Sequence, residues 1–300
     1  MAFGVAAGAL WGLVFLAPEL ARDFTALQLA AGRYLVYGAI SVALLVSRWN
    51  DLATWLRASH WRALVVLSLL GNIVYYVLLA SAVQWGGVAM TSLVIGFLPV
   101  AVTVVGSREA GAVSLRKLAP SLCLSALAIG SIAWQAASAG HAAVQPLKLA
   151  GLFCAIGALV SWTAYAVLNA RWLERLDHVS AHDWNLLTGV VTGGLAVLLV
   201  PAAVLLDPST HTSGAWLRFA AISSGIAVFA SIVGNGFWNR MSRLLPLTLV
   251  GQMILFETLF ALLYGFLWEW RLPTPLELFA VVAVVVSVLL CVRAHRPHAA

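Results

Sequence analysis

Charged residues are scarce in this 300-residue chain: Asp, Glu, Lys and Arg together make up 9% of it, and lysine occurs only as Lys117 and Lys148. Hydrophobic residues account for 62%, and the mean hydropathy is +0.97. This composition excludes a water-soluble domain and indicates a protein of the lipid bilayer.

Several signatures of reactive sites are also missing. The cysteines, Cys123, Cys154 and Cys291, are odd in number and have no paired spacing, which predicts free thiols. All seven histidines lie in predicted loops or in the tail, so neither a metal site nor a histidine proton relay is expected. No Walker-type phosphate loop is present, so primary active transport would need a separate subunit. No cofactor is expected.

The apolar residues form ten stretches that are each long enough to cross a bilayer, since a spanning helix needs about 20 mainly apolar residues. In lipid, backbone polar groups must be satisfied within the segment, which favours helices. The predicted fold is an all-α integral membrane protein with ten transmembrane helices. The predicted spans 1 to 10 cover residues 3–20, 26–47, 61–83, 88–106, 115–135, 149–172, 184–206, 219–241, 247–268 and 276–292.

Basic residues are distributed unevenly between the two sides of these spans. With the N-terminus in the cytoplasm, twelve Lys and Arg residues lie in cytoplasmic loops or the tail and four lie opposite, with Arg33 inside span 2. Short cytoplasmic loops retain basic residues, so both termini are predicted to be cytoplasmic. The net charge of +6 then reflects a basic collar over an anionic leaflet and requires no nucleic-acid partner.

The two halves of the chain resemble each other. Glu109 aligns with Glu269, and further matches at nearly the same offset, such as Leu118 with Leu278, follow in the same order. We therefore predict two repeats of five spans, residues 1–146 and 147–300. An odd number of spans makes the second repeat cross the membrane in the opposite sense, as is common in secondary transporters.

Several motifs together resemble one family. They are the Trp11-Gly12 pair in span 1, Arg33 early in span 2, Pro99 in span 4, and Glu109 and Glu269 before spans 5 and 10. On these features the chain is similar to the drug/metabolite transporter superfamily, in its ten-span form with two EamA repeats. It looks closest to YddG-type exporters, which are associated with aromatic amino acids. One departure is Glu257-Thr258 in span 9, where the family often has Glu-Pro, so no proline kink is expected there.

Two charged residues are predicted inside spans. Glu257 lies about 16 Å into span 9 at 1.5 Å per residue, and a carboxylate at that depth usually marks an ion or substrate pathway. We predict a proton-coupling role for it; a structural hydrogen-bond donor is the alternative. Arg33 is predicted to be a structural clamp, with Glu19 and Asp23 as candidate partners, and an anchor for a substrate carboxylate is its alternative role.

A substrate cavity is predicted near the midplane, where Trp11 and Trp162 occupy roughly equivalent places in the two repeats. Their rings would contact apolar or aromatic substrate groups, although packing within the bundle is the competing interpretation. The other residues predicted to bind substrate are Asn72, Tyr76, Tyr165, Asn235, Asn239 and Gln252. Gly4, Gly8 and Gly12 predict close approach of another helix to span 1.

The predicted function is export of aromatic or large neutral amino acids across the bacterial inner membrane by alternating access. Absence of lysine at membrane depth makes phosphate-bearing substrates a poor match. A proton-coupled exporter of cationic drugs or metabolites that uses Glu257 is the alternative within transport. An integral membrane enzyme would show clustered acid, base or metal-binding residues at membrane depth, and a receptor would show a ligand-binding or effector domain. The sequence has neither feature, so no catalytic activity is expected.

Overall fold

The computed structural model describes residues 2–106, 114–138, 145–176, 179–207, 210–244 and 247–295, and the regular structure within these ranges is helical. The α-helices are α1 (Ala2–Leu20), α2 (Ala26–Leu45), α3 (Trp49–Ala53), α4 (Ala58–Ser68), α5 (Val74–Gly86), α6 (Val88–Ile95), α7 (Leu98–Gly106), α8 (Leu115–Ser138), α9 (Gln145–Arg175), α10 (Ala181–Leu206), α11 (Ser213–Ile226), α12 (Asn235–Leu244), α13 (Leu247–Glu269) and α14 (Pro275–His295). A 3-10 turn, Val46–Arg48, joins α2 to α3.

Every predicted span is occupied by helix. Within the described ranges, six helical stretches are long and apolar enough to cross a bilayer by themselves: Ala2–Leu20, Ala26–Ala53, Ala58–Gly86, Pro146–Leu173, Ala181–Leu206 and Ser213–Trp238. The remaining predicted spans are formed by α6 with α7, by α8, by α13 and by α14. The predicted all-α membrane fold is therefore confirmed.

Spans 3 and 8 are each interrupted by a π-helical segment, Leu69–Ile73 in the first and Ala227–Gly234 in the second. Aligning the two repeats carries Leu69–Ile73 onto a stretch that lies inside the second segment. Such wide turns are rare in α-helices and occur frequently at functional sites. The two halves thus share the same irregularity at the same place.

Span 4 breaks into α6 and α7, whereas span 9 is the continuous helix α13. Pro99 is the second residue of α7, in the first turn, where a proline replaces an N–H that has no partner within the helix. Thr258 occupies the corresponding place in α13 and packs against the break: a Cβ on Gly96 would lie 2.9 Å from Thr258 Cγ2. The prediction that span 9 has no proline kink is confirmed.

Helix packing follows the same plan in both halves. Span 1 packs against spans 8 and 9, and span 6 packs against spans 3 and 4 in the same way. Span 2 packs against span 7, and span 5 against span 10. Exchanging the halves leaves this pattern unchanged, as expected for two inverted five-span repeats. The predicted division between residues 146 and 147 falls in the first turn of α9.

Ion pairs collect at the two opposite ends of α2. At its C-terminal end, Arg48 Nη1 lies 2.6 Å from Asp183 Oδ1. At its N-terminal end, Arg22 pairs with Glu19 at 2.5 Å. Arg271 also bonds Glu277, and these hydrogen bonds raise the pKa of Arg271 above its usual range, so this arginine keeps its charge.

Candidate substrate site

Span 1 lies against span 9, and its glycines set the distance between the two helices. A Cβ on Gly8 would lie 2.6 Å from Phe256 Cβ and 2.8 Å from the Glu257 backbone nitrogen. A Cβ on Gly12 would lie 2.9 Å from Phe260 Cβ. Only glycine permits such an approach of two backbones. The predicted close packing at Gly8 and Gly12 is confirmed, and it places Glu257 at the boundary between the halves.

Another face of span 1 carries Trp11, whose indole nitrogen Nε1 donates a hydrogen bond to the Ala230 carbonyl at 3.1 Å. In the other half, the Ser161 hydroxyl on span 6 donates to the Leu70 carbonyl at 2.7 Å. Aligning the two repeats brings Leu70 and Ala230 to corresponding places in the two π-helical segments. Each π-helical segment is therefore held by a side chain from the first span of the opposite half.

Arg33 lies beside the π-helical segment of span 8. Its side chain is buried, with 8% exposure, and its Nε and Nη2 atoms lie 3.3 and 3.1 Å from the Ser231 hydroxyl oxygen, to which they donate. The guanidinium carbon lies 4.5 Å from the ring centroid of Tyr76 and 5.1 Å from that of Tyr34. Within the described ranges, the third guanidinium nitrogen, Nη1, has no hydrogen-bond partner.

The predicted partners of Arg33 were wrong. Glu19 pairs with Arg22, and Asp23 pairs with Arg218 at the N-terminal end of α2. These carboxylates are held by arginines of the neighbouring loop and helix start, which reach them without entering the bundle. Arg33 instead contacts a hydroxyl and two aromatic rings, so it connects spans 2, 3 and 8. Its clamp role remains a prediction.

Glu257 is the eleventh of the 23 residues of α13, and its exposure is 6%. Its predicted position deep inside a span is confirmed. No described residue donates a hydrogen bond to its carboxyl group or forms an ion pair with it. Arg33 and Tyr75 lie close enough to interact with it electrostatically without direct contact. Its predicted part in proton coupling remains a prediction.

Two of the predicted amides each use one N–H donor within the protein. Asn72 Nδ2 donates to the Thr192 hydroxyl at 3.0 Å, and Asn235 Nδ2 donates to Asn185 Oδ1 at 3.3 Å. Both acceptors belong to α10 in span 7. These bonds tie spans 3 and 8 to the same helix, and each amide keeps a second N–H donor beside its carbonyl oxygen.

Aromatic residues from both halves belong to one buried hydrophobic cluster or pack against it. The rings of Trp11 and Trp238 have centroids 4.9 Å apart, and those of Trp162 and Tyr165 are 5.9 Å apart. Tyr76 lies edge-on to Tyr34 in the same cluster. Tyr76 thus belongs to this cluster, Trp11 and Trp162 pack against it, and their part in a substrate cavity remains a prediction.

Other predicted residues lie outside what the structure describes. Asn239 and Gln252 belong to α12 and α13, but their side chains fall outside the described part, as does the whole of Glu109. The sequence did not indicate Ser231 as a partner of Arg33, because the two residues are 198 positions apart and only helix packing brings them together. Asn185 and Trp238 were missed because a polar residue at a span end and a tryptophan near an interface are both common.

Metal ligation finds no support in the described ranges, which contain no group of three or more His, Cys, Asp or Glu side chains placed to hold an ion. The ionisable side chains described in the candidate site are the guanidinium of Arg33 and the carboxyl of Glu257. The arrangement is suited to reversible binding of a small molecule between two halves of a bundle.

Known proteins share this sequence and this fold. A profile of the EamA-like transporter family matches residues 1–108 and 149–293. The inner membrane protein YtfF of Escherichia coli (strain K12) is 32% identical over 309 aligned residues, which cover 97% of this chain and 94% of that protein. One solved crystal structure, 19% identical, has a TM-score of 0.65 and covers 98% of both chains, which supports the fold.

Proposed function

Because the chain belongs to the EamA-like transporter family, we propose that it exports aromatic or large neutral amino acids by alternating access. One observation carries the substrate class: tryptophan and tyrosine residues from both halves belong to or pack against a single hydrophobic cluster, and the Arg33 guanidinium lies over two of its rings. Aromatic rings attract apolar and aromatic groups by face and edge contacts. A phosphate-bearing substrate would instead need several cations, and among the described residues Arg33 is the one whose guanidinium lies over the rings of Tyr34 and Tyr76 in this cluster.

Alternating access is supported by the way the halves meet. Spans 1 and 6 each cross to the π-helical segment of the opposite half, and the contact of span 1 with span 9 is smooth because it is made by glycines. Packed helices with small residues at the contact can slide in domain closure by shear. The substrate would be released as one set of helices rocks against the other.

The membrane and the orientation belong to the same proposal. YtfF is named as an inner membrane protein, and we place this multi-pass chain in the bacterial inner membrane as well. Arg48 and Trp172 lie at the end of the bundle that the basic loops share, and we assign this end to the cytoplasm. Both termini would then be cytoplasmic, which agrees with an anionic lipid surface as partner.

A second candidate function rests on Glu257. A buried carboxyl to which no described residue gives a hydrogen bond or ion pair could alternate between a proton and a cationic substrate, which would make the protein a proton-coupled exporter of cationic drugs. The aromatic cluster fits that substrate class too, because cations bind over aromatic faces. Arg33 disfavours this function, because its buried guanidinium interacts electrostatically with Glu257 and would repel a cationic substrate bound there.

A counterflow assay separates these functions. Liposomes that contain the purified protein are loaded with an unlabelled amino acid, and uptake of the labelled amino acid is followed without ATP. Aromatic and large neutral amino acids should be exchanged, whereas acidic and basic amino acids should be exchanged weakly. Absence of any amino-acid exchange beside strong flux of a cationic dye would reject the proposal and favour the drug exporter.

A further inference from the structure

Two ionisable side chains of opposite type, the guanidinium of Arg33 and the carboxyl of Glu257, are buried in the candidate site without a direct ion pair. Arg33 donates to the neutral hydroxyl of Ser231, and its Nη1 atom has no partner among the described residues. Glu257 receives no hydrogen bond or ion pair from them either. Burying a charge is unfavourable unless it is paired and hydrogen-bonded. Each of these groups therefore lacks the partner that its burial requires.

The two charges are near each other but do not meet. Arg33 and Glu257 interact electrostatically, yet no direct ion pair forms between them. They are carried by different helices, α2 and α13, which belong to different halves of the chain. A molecule lying between them would have to present a negative group to the arginine and a positive group to the glutamate.

On this basis we propose that Arg33 binds the carboxylate of an α-amino acid and that Glu257 binds its ammonium group, so that a single zwitterion bridges the two halves. The inference rests on the proposed function and assigns its substrate contacts. It changes the predicted role of Arg33 from a clamp to a substrate-binding residue whose Nη1 atom is reserved for the ligand. Bonds to Ser231 and contacts with Tyr76 hold the guanidinium in place for that task.

The aromatic rings near Arg33 indicate where the side chain of the substrate would lie. Arg33 lies against the rings of Tyr34 and Tyr76, and it bonds Ser231, the residue after Ala230, whose carbonyl accepts the Trp11 hydrogen bond. A substrate whose carboxylate contacts Arg33 would place an apolar side chain against this aromatic cluster. The same geometry explains why the site would prefer a zwitterion with a large apolar group to a charged dye.

Equilibrium binding to the purified protein in lipid nanodiscs tests the assignment. Labelled L-phenylalanine is displaced by unlabelled L-phenylalanine, by 2-phenylethylamine, which has the ammonium but no carboxylate, and by 3-phenylpropanoate, which has the carboxylate but no ammonium. The wild-type protein should bind phenylalanine at least about tenfold more tightly than either analogue, because each loses one charged contact.

The two variants should then show crossed effects. Arg33→Gln should weaken phenylalanine and 3-phenylpropanoate by about tenfold or more and leave 2-phenylethylamine within about twofold. Glu257→Gln should weaken phenylalanine and 2-phenylethylamine and spare 3-phenylpropanoate. Arg62→Gln and Asp51→Asn, which remove exposed charges of the same kinds, should change none of the three affinities.

If Arg33→Gln weakens the binding of all three ligands equally, the assignment is overturned and Arg33 is a structural clamp. Wild-type affinities for the analogues that match the affinity for phenylalanine would also overturn the assignment, a comparison that needs no variant and remains decisive if Arg33→Gln does not fold. Arg33→Lys keeps the charge and should retain the preference for the carboxylate. Wild-type protein that binds no amino acid at all would reject the proposed function itself, whereas phenylalanine binding without crossed effects rejects the assignment alone.

Discussion

Gly38 of span 2 and Gly193 of span 7 face each other with no side chain between them. A Cβ on Gly38 would lie 2.5 Å from the Gly193 Cα, and a Cβ on Gly193 would lie 2.6 Å from the Gly38 Cα. Spans 2 and 7 are the second spans of the two halves, so equivalent helices touch through equivalent glycines. The pseudo-twofold axis that relates the two repeats therefore passes close to this contact.

Adding a methyl group at this crossing should destabilise the protein. Gly38→Ala or Gly193→Ala should each cost about 1–3 kcal/mol of stability, the usual range for overpacking a close contact. The matched control is Gly194→Ala, since a Cβ at that position meets no atom within 4 Å. Thermal denaturation of the purified variants in detergent measures the difference, and equal midpoints for Gly193→Ala and Gly194→Ala would contradict the contact.

Trp162 should select substrates by their side chains. Trp162→Ala should weaken transport of aromatic amino acids several-fold more than that of small neutral ones, because an aromatic contact contributes about 1 kcal/mol. Counterflow with phenylalanine and alanine measures the ratio. Trp134→Ala, at an exposed tryptophan, is the control. Equal losses for both substrates would show that Trp162 only packs the bundle.

Glu257 should make transport depend on pH. A protonated carboxyl cannot pair with a substrate ammonium group, so wild-type exchange should fall as the pH is lowered through the titration of this group, with Arg33 and Tyr75 as the neighbouring titratable groups. Glu257→Gln retains the shape and hydrogen bonding but cannot titrate. Counterflow across a pH series should show slower exchange and a flat profile for this variant. An unchanged rate with the original pH profile would assign Glu257 a purely structural role.

The two ends of the bundle should be labelled from different sides of the membrane. In a variant without Cys123, Cys154 and Cys291, a cysteine at Ser59 should react with a membrane-impermeant reagent only from the cytoplasm. A cysteine at Leu272, which is 86% exposed, should react only from outside. Labelling of intact and permeabilised cells gives the sides. Reaction of both positions from one side would contradict the inverted arrangement.

Much of the architecture was predictable because hydropathy records which residues can lie in lipid. The spans, the central depth of Glu257 and the unbroken course of span 9 follow from apolar length and from Thr258 in place of proline. The π-helical segments were not predicted, since their residues are as apolar as those of an ordinary helix. In both segments a side chain from another span donates to a backbone carbonyl, a contact that apolar length does not record.

The candidate site was predicted only in part, for a similar reason. Trp11, Trp162 and Tyr76 were predicted because large aromatic residues deep in a span are conspicuous in the sequence, and the structure places them in or against one hydrophobic cluster. The pairing of Arg33 with Ser231 joins residues 198 positions apart and depends on how span 2 lies against span 8. The sequence instead pointed to Glu19 and Asp23, which are close along the chain but pair with other arginines.

The matched π-helical segments also bear on the ancestry of the chain. A wide turn contains one residue more than the α-helical turn that it replaces, and Leu69–Ile73 and Ala227–Gly234 carry it at equivalent positions. Two separate insertions at one place are a less economical history than one insertion copied with its surroundings. On the prediction that the two five-span repeats arose by duplication, the irregularity would be older than that duplication, and the ancestral five-span protein would already have possessed it.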